Sequence, residues 1–293
     1  MKSIRETAML VHLTISSWTG KAADRKVTKQ IHEQHHAAKD SGIYIKKLID
    51  EKRLNKVNKF TSALRKQHYE QTLPWDNTGR RLLPSANYFE YMTAMKKIQY
   101  GFETEVESLI KDYHRLIEDA KINLNGMFNS DDYPSEFELR DKYGVKLNVY
   151  PIEDSDDFRV KISESEVAEI RANIESSVKE NLARATQSIF ERVKEVLVAM
   201  FEKLAVQDAV FRDSLITNIK NLVELMPKLN VTDDPRIAAL CEDMKSLLFE
   251  PDALRDNPNV RAKTALSSMA LMKKYGIITE EDEKSIIKQI VKS

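Results

Sequence analysis

Glycine, proline and cysteine are scarce in this chain. Its 293 residues include seven glycines, eight prolines and one cysteine, whereas 31% of the residues are charged and 42% are hydrophobic. Sandwiches and barrels of β-strands need many turn residues, so this composition favours long helices with exposed polar faces. The single Cys241 excludes an internal disulfide and a cysteine-based zinc finger, and it fits a reducing compartment.

Long apolar runs are missing as well. The stretch AMLVHLTI near the start is too short to span a membrane, and it contains His12. We therefore expect a cytoplasmic protein with no membrane partner.

The two signs of charge are balanced overall but separated along the chain. Residues 1–100 carry 19 Lys and Arg against 9 Asp and Glu, and residues 101–210 carry 14 against 24. The basic part could bind nucleic acid, or it could pair with the acidic part within one chain or between copies. Because the two excesses are equal and opposite, we favour self-complementarity, and hence a homo-oligomer, over nucleic-acid binding.

The first part of the chain predicts one strand and two helices. Apolar and polar residues alternate over residues 9–15, which predicts a strand with one apolar face. Helices are expected over residues 22–39 and from about residue 44 to residue 68. The segment TLPWDNTGRRLLPSANY, residues 72–88, contains two prolines and a glycine and is expected to break the helical pattern.

Two long helices are predicted in the middle of the chain. Apolar residues recur about every 3.5 residues from Met92 to Ala120 and about every 3.7 residues from Val167 to Leu204. We expect residues 85–123 and 163–205 to form an elongated antiparallel coiled-coil-like hairpin. The segments VKLNVY and DFRVKI would form a small β-hairpin at its tip.

Helix-start signals support the helical boundaries. Ser135 with Glu138 and Ser163 with Glu166 have the spacing of capping boxes. Asp234 and Asn257 each precede a proline, a sequence typical of a helix N-cap. The predicted fold is therefore mainly α, with a small β element and a C-terminal helical bundle. Its three segments are residues 1–84, 85–206 and 207–293.

A histidine-rich stretch raises the question of a metal site. His32, Glu33 and His36 match the H-E-x-x-H pattern, in which two histidines one turn apart bind zinc and the glutamate activates water. No third ligand is identifiable, and the residues inside the motif are polar. We favour a solvated helix end, and keep a zinc-dependent hydrolase with His32 and His36 as metal ligands as the alternative. Phosphate-binding glycine motifs are absent, and no cofactor is predicted.

A basic helix and a tryptophan loop are the remaining candidate sites. The basic segment could contact phosphates, although its cations spread around the helix; the residues concerned are Lys46, Lys47, Lys52, Arg53, Lys56 and Lys59. In the loop, tryptophan and arginine are the residue types favoured at interface hot spots. The predicted partner-binding residues there are Trp75, Arg80, Arg81 and Leu82. The alternative for Trp75 is a core residue that plugs a helical hairpin.

The tryptophan loop, together with the earlier ISSWTG, resembles a phage and prophage protein family of unknown function. The positions that match its signature are Trp18, Pro74, Trp75, Gly79, Arg81, Leu82 and Pro84. The resemblance implies a phage-encoded protein in the host cytoplasm whose gene often neighbours a MoxR-type AAA+ ATPase, and it supplies no catalytic residue.

Three functions are open from the sequence. The favoured one is a non-enzymatic, self-associating scaffold or adaptor that binds a protein partner, with an AAA+ ATPase as the candidate. The alternatives are a zinc-dependent hydrolase and a nucleic-acid-binding protein.

Overall fold

Helices make up most of the protein in this computed structural model, which describes residues 4–157, 163–206 and 209–292. The helices are α1 (Ile4–Thr7), α2 (Arg25–His35), α3 (Glu51–Gln71), α4 (Tyr88–Leu124), α5 (Glu136–Asp141), α6 (Glu164–Leu204), α7 (Ser214–Leu229), α8 (Pro235–Lys245), α9 (Pro251–Asp256), α10 (Pro258–Lys274) and α11 (Glu280–Lys292). The strands are β1 (Ala8–Ser16), β2 (Lys21–Ala23), β3 (Ile45–Lys47), β4 (Leu73–Pro74), β5 (Arg81–Pro84) and β6 (Gly144–Tyr150). The predicted class, mainly α with a small β element, is confirmed.

The helices begin where the local sequence signals predict. Ser135 and Ser163 each accept a hydrogen bond from the backbone N–H of the glutamate three residues later. The side chain of that glutamate accepts one from the backbone N–H of the serine, so both capping boxes form. Asp234 and Asn257 cap α8 and α10, each with a proline in the first turn. These interactions involve residues within one turn of each other, which is why the sequence reveals them.

Two small sheets interrupt the helices. The strands of the larger sheet lie in the order β4-β5-β1-β6, and β1 pairs antiparallel with β5, which in turn pairs antiparallel with β4. Because β1 is an inner strand, Leu10 is buried as well as Val11, and the expected alternation of one apolar face is blurred. The smaller sheet is a ribbon in which β2 pairs antiparallel with β3.

Clustering of contacts divides the chain into two compact units. Unit 1 contains Met1–Val11, Glu70–Phe89 and Val149–Ser293, and unit 2 contains His12–Tyr69 and Glu90–Asn148. This division differs from the three consecutive segments predicted from the sequence. Each unit is built from segments that are distant along the chain, and local patterns do not reveal such contacts.

Unit 2 is organised by the antiparallel packing of α3 against α4. Arg53, near the start of α3, forms ion pairs with Glu105 and Asp112 in the second half of α4. His68, near the end of α3, is hydrogen-bonded through Nδ1 to the hydroxyl of Tyr91 at the start of α4, at 2.7 Å. The apolar face of α4 is buried as its spacing predicts, and part of it joins the core of the unit with Trp18, Leu48, Leu54, Val57 and Leu139.

The predicted hairpin of residues 85–123 with residues 163–205 stays a prediction, and the contacts within each unit identify other neighbours for these helices. The antiparallel neighbour of α4 in unit 2 is α3, whereas α6 belongs to unit 1 and packs there against α7, α10 and β4. An apolar stripe shows that a helix buries one face, but it does not identify the element that covers that face.

The second half of α6 is the centre of unit 1. Its buried residues begin at Asn181, and its apolar side chains share one core with those of α7, α8, α10 and α11. Arg261 of α10 is buried against the end of α6 and donates hydrogen bonds to the carbonyls of Lys203, Val206 and Ala209 at 2.8, 2.7 and 2.6 Å. It satisfies a carbonyl in the last turn of α6, which the end of a helix leaves without a partner, and two carbonyls of the segment that follows.

Three local predictions need correction or lie outside the described residues. The helix predicted over residues 22–39 spans only Arg25–His35, because β2 pairs with β3 and removes its first residues. The helix predicted from Tyr44 begins at Glu51 for the same reason. Of the predicted β-hairpin, the first strand is observed as β6. The second was predicted over residues 157–162, of which residues 158–162 lie outside the described residues.

Candidate functional site

The tryptophan loop places two of its four predicted contact residues in the core of unit 1. Trp75 and Leu82 are fully buried there, and the carbonyl of Trp75 accepts a hydrogen bond from Arg184 at 3.3 Å. Their side chains therefore anchor the loop, which agrees with the alternative that the sequence left open for Trp75. A partner could reach these two side chains only if the loop left the core.

The turn of this loop is held by its own polar groups. Asp76 accepts hydrogen bonds from the backbone N–H and the hydroxyl of Thr78, at 2.9 and 2.6 Å, and forms an ion pair with Arg80. Partial burial acts to raise the pKa of Asp76, but the bonds from Thr78 and the charge of Arg80 hold it below its ordinary value. Arg80 also pairs with Glu153 at 2.5 Å. The exposed part of the loop is thus a fixed turn over residues 77–79.

Arg81 is half-buried and is engaged with the neighbouring strand. Its Nε donates to the hydroxyl of Thr72 at 2.7 Å, and a terminal nitrogen donates to the carbonyl of Thr72 at 3.1 Å. Partner binding by Trp75, Arg80, Arg81 and Leu82 stays a prediction, and in this structure all four have structural contacts.

Two of the six cations predicted to contact nucleic acid are buried in unit 2. Lys46 is 5% exposed; its ammonium group lies 3.3 Å from Asp24 and 2.7 Å from Asp132, and it donates to the carbonyl of Met127 at 2.8 Å. Burial acts to lower the pKa of Lys46, but the two carboxylates raise it above its ordinary value. Lys46 is therefore a structural cation. Its buried ammonium group is held by groups of the same chain, contrary to the prediction that it contacts a phosphate.

Arg53 is the second buried cation, at 7% exposure. Its Nε donates to Asp112 at 3.2 Å, and a terminal nitrogen pairs with Glu105. The basic first third and the acidic middle of the chain thus pair within unit 2, one of the arrangements that the charge separation allowed. Because Lys46 and Arg53 are paired within the chain, their charges are not free for contacts with another molecule.

The other four predicted cations remain at the surface. Lys47 forms an ion pair with Glu51 at 3.0 Å. Lys52, Lys56 and Lys59 are exposed on α3, and their ammonium groups have no hydrogen bond or ion pair within the described part of the chain. The structure therefore separates core cations from surface cations that look alike in the sequence.

The histidine-rich stretch does not form one continuous helical face. Helix α2 ends at His35, and His36 is its C-cap in the left-handed conformation, with a φ of 52°. The zinc motif needs two histidines on the same face of a helix, and the turn at His36 breaks that relation. Glu33 pairs with Lys29 at 3.6 Å. Among the residues described, no group of three or more His, Cys, Asp or Glu side chains could hold a metal ion.

Sequence reasoning missed an exposed apolar face on the β2–β3 ribbon of unit 2. The inner face of the ribbon contains the buried Lys46, and its outer face carries Lys21, Ala23, Ile45 and Lys47. Ile45 is 57% exposed, and Ile43, two residues before it, is 70% exposed. The alternation in GIYIKK was the available signal, but the segment was assigned to a helix.

Comparison with known proteins adds no assignment to these surfaces. The family models, the curated proteins and the solved structures contain no match to this chain. The resemblance to a phage protein family therefore stays a prediction. Across the described ranges, no helix has the length and apolarity needed to cross a membrane.

Proposed function

We propose that this protein is a non-enzymatic scaffold that self-associates through the β2–β3 ribbon of unit 2 and binds a protein partner. The observation that supports the proposal is the exposure of Ile45, on the outer face of the β2–β3 ribbon, and of Ile43, two residues before β3. A large apolar side chain gains about 1.5–3 kcal/mol when it is fully buried. Two such side chains, one at the start of β3 and one two residues before it, form an exposed apolar surface of the kind that another protein can cover.

The charges around this face favour an acidic contact surface. Lys21 and Lys47 are cross-strand neighbours, and both are exposed beside Ile45. Two copies meeting through the same face would bring these lysines together, which is unfavourable. A surface of opposite charge exists on the same chain: the first half of α6, residues 164–180, carries five glutamates against Arg171 and Lys179. We infer a head-to-tail contact in which the ribbon of one copy meets this acidic helix of the next.

Sedimentation velocity at micromolar concentration tests the proposal. The wild-type chain is expected to sediment as an oligomer that dissociates as salt rises, because the contact combines apolar burial with opposite charges. A double variant, Ile43→Ser with Ile45→Ser, is expected to be monomeric. The matched control is Leu266→Ser, which removes another exposed apolar side chain, on α10 of unit 1. A monomeric wild-type chain, or an oligomer that survives the double substitution, would refute the proposal.

The family resemblance suggests the partner to test first. An AAA+ ATPase encoded beside this protein is expected to bind it through the same scaffold. The assay is the rate of ATP hydrolysis by that ATPase with and without this chain, with the Ile43→Ser and Ile45→Ser variant as control. An unchanged rate together with no co-sedimentation would remove the ATPase from the proposal.

A further inference from the structure

The lysines of α3 form one stripe on its solvent face. Lys52, Lys56 and Lys59 are spaced at i, i+4 and i+7, which confines them to an arc of roughly 60° and a length of about 10 Å along the helix. The opposite face is buried and contains Leu54, Val57, Thr61, Leu64 and His68. Of the six cations predicted on this segment, Lys46 and Lys47 precede α3 and Arg53 is buried, which leaves Lys52, Lys56 and Lys59 on the solvent face.

The two carboxylates of α3, Glu51 and Glu70, lie at the ends of the helix, and Glu51 forms an ion pair with Lys47. Between Lys52 and Tyr69 the helix contains no Asp or Glu. Across the helix pair, Glu105 and Asp112 of α4 are both paired with the buried Arg53. Arg53 thus neutralises the acidic side of the packing contact. The lysine stripe keeps its positive charge at the surface.

The residues between the lysines fit a phosphate backbone better than a protein partner. The other exposed residues of this helix from residue 52 to residue 66 are Asn55, Asn58, Ser62, Arg65 and Lys66. Protein interfaces are depleted in lysine and depend on apolar or aromatic anchors, and this face has none. Lysine, arginine, asparagine and serine are the side chains that contact phosphates and sugars.

The same composition favours a duplex over a single strand. Single-strand binding depends on aromatic side chains on which bases stack. The only aromatic residue between Lys52 and Lys66 is Phe60, which is half-buried in the core of unit 2. A row of cations without a stacking platform can follow the backbone of double-stranded DNA independently of its sequence.

We propose that α3 binds the phosphate backbone of double-stranded DNA through Lys52, Lys56 and Lys59. The contact is sequence-independent, because only backbone-contacting side chains are available on this face. It uses residues other than Ile43 and Ile45, so it can succeed or fail independently of the proposed scaffold contact. A scaffold with such a stripe would hold its protein partner on DNA.

Fluorescence anisotropy with a labelled 20-base-pair duplex of arbitrary sequence tests the proposal. Affinity is measured over a salt series for the wild-type chain and for the triple variant Lys52→Gln, Lys56→Gln, Lys59→Gln. Each phosphate contact contributes about 0.9 to the slope of log affinity against log salt, so the triple variant should lose about 2.7 from that slope. At about 0.1 M salt the affinity should fall by on the order of 100-fold.

A second triple variant controls for the loss of charge. Lys263→Gln, Lys284→Gln and Lys288→Gln remove the same charge from exposed positions of α10 and α11 in unit 1. This variant should keep the wild-type affinity and slope. The Ile43→Ser and Ile45→Ser variant should also keep them, which separates this inference from self-association.

Several results would overturn the proposal. These are an equal loss in both lysine variants, an undetectable affinity of the wild-type chain for the duplex at about 50 mM salt, and tighter binding to single-stranded RNA of the same length. Tighter binding to poly-glutamate than to the duplex would assign the stripe to an acidic protein instead. Circular dichroism of each variant confirms that a loss of binding is not a loss of folding.

Discussion

Replacement of Gly101 by alanine tests the packing of α3 on α4. Gly101 lies in the middle of α4, where alanine alone would stabilise the helix by about 0.8–1 kcal/mol. A Cβ at this position would lie 2.4 Å from Cε1 of Phe60 and 3.1 Å from two further atoms of that ring. Carbon atoms in contact are normally about 3.5–4 Å apart, so the ring of Phe60 or the helix must shift.

The two effects have opposite signs, and their magnitudes decide the result. Overpacking of this kind costs about 1–3 kcal/mol, which exceeds the gain in helix propensity. Gly101→Ala should therefore destabilise unit 2 by roughly 1 kcal/mol. If Phe60 is first changed to leucine, the clash disappears, and Gly101→Ala should become stabilising by up to about 1 kcal/mol. The coupling between the two substitutions is then about 2 kcal/mol.

Native-state hydrogen exchange of peptides from α3 and α4 measures this effect in the intact chain. It reports the local free energy of opening, which suits a protein with two units better than one global transition. Thr104→Ala, at an exposed position one turn further along α4, is the control and should change the free energy by less than about 0.5 kcal/mol. If Gly101→Ala slows hydrogen exchange in the chain that retains Phe60, the α3–α4 packing described above is refuted.

Two further predictions concern unit 1. Arg261→Met should destabilise the end of α6 by about 3 kcal/mol, because several carbonyls lose their hydrogen-bond donor. Arg261→Lys should recover only part of the lost stability, because an ammonium group cannot reproduce the planar guanidinium. A urea titration measures both. A lysine variant as stable as the wild-type protein would contradict that account. The pKa of Asp282 is about 2, lowered first by the backbone N–H of Thr279 and then by Lys194 at 3.1 Å. The ionised Asp282 therefore stabilises the folded state fully at pH values above the ordinary pKa of an aspartate, about 4, and this stabilisation is lost as the pH falls towards 2. A carboxyl-carbon NMR titration of Asp282 with a midpoint near 4 would disprove the lowered pKa.

The sequence predicted well those features that depend on neighbouring residues. Both capping boxes, the proline-preceded caps of α8 and α10, and the break at the tryptophan loop involve contacts within a few positions. The first strand was also predicted from its alternation. The predicted start of α2 was wrong, because residues 21–23 pair with residues 45–47 instead, and this contact joins segments that are distant along the chain.

The candidate sites were harder to predict. Lys46, Arg53 and Lys56 are three cations of one basic stretch of sequence, yet the first two are buried and the third is exposed. Trp75 was predicted as a partner-contact residue, with a core residue as the alternative, and its surroundings show that it is buried. The exposed Ile43 and Ile45 had a detectable period of two, but the segment is too short for that signal to outweigh a helical assignment.

The sequence by itself determined that this protein is mainly helical and where several of its helices begin, because helix periodicity and capping are set within one or two turns. Only the tertiary structure decided that α3 packs against α4 and which cations stay at the surface. Lys46 is held by a carbonyl 81 residues away, at Met127. The burial of a charge depends on partners that distant segments supply, because an unpaired charge is too costly to remove from water.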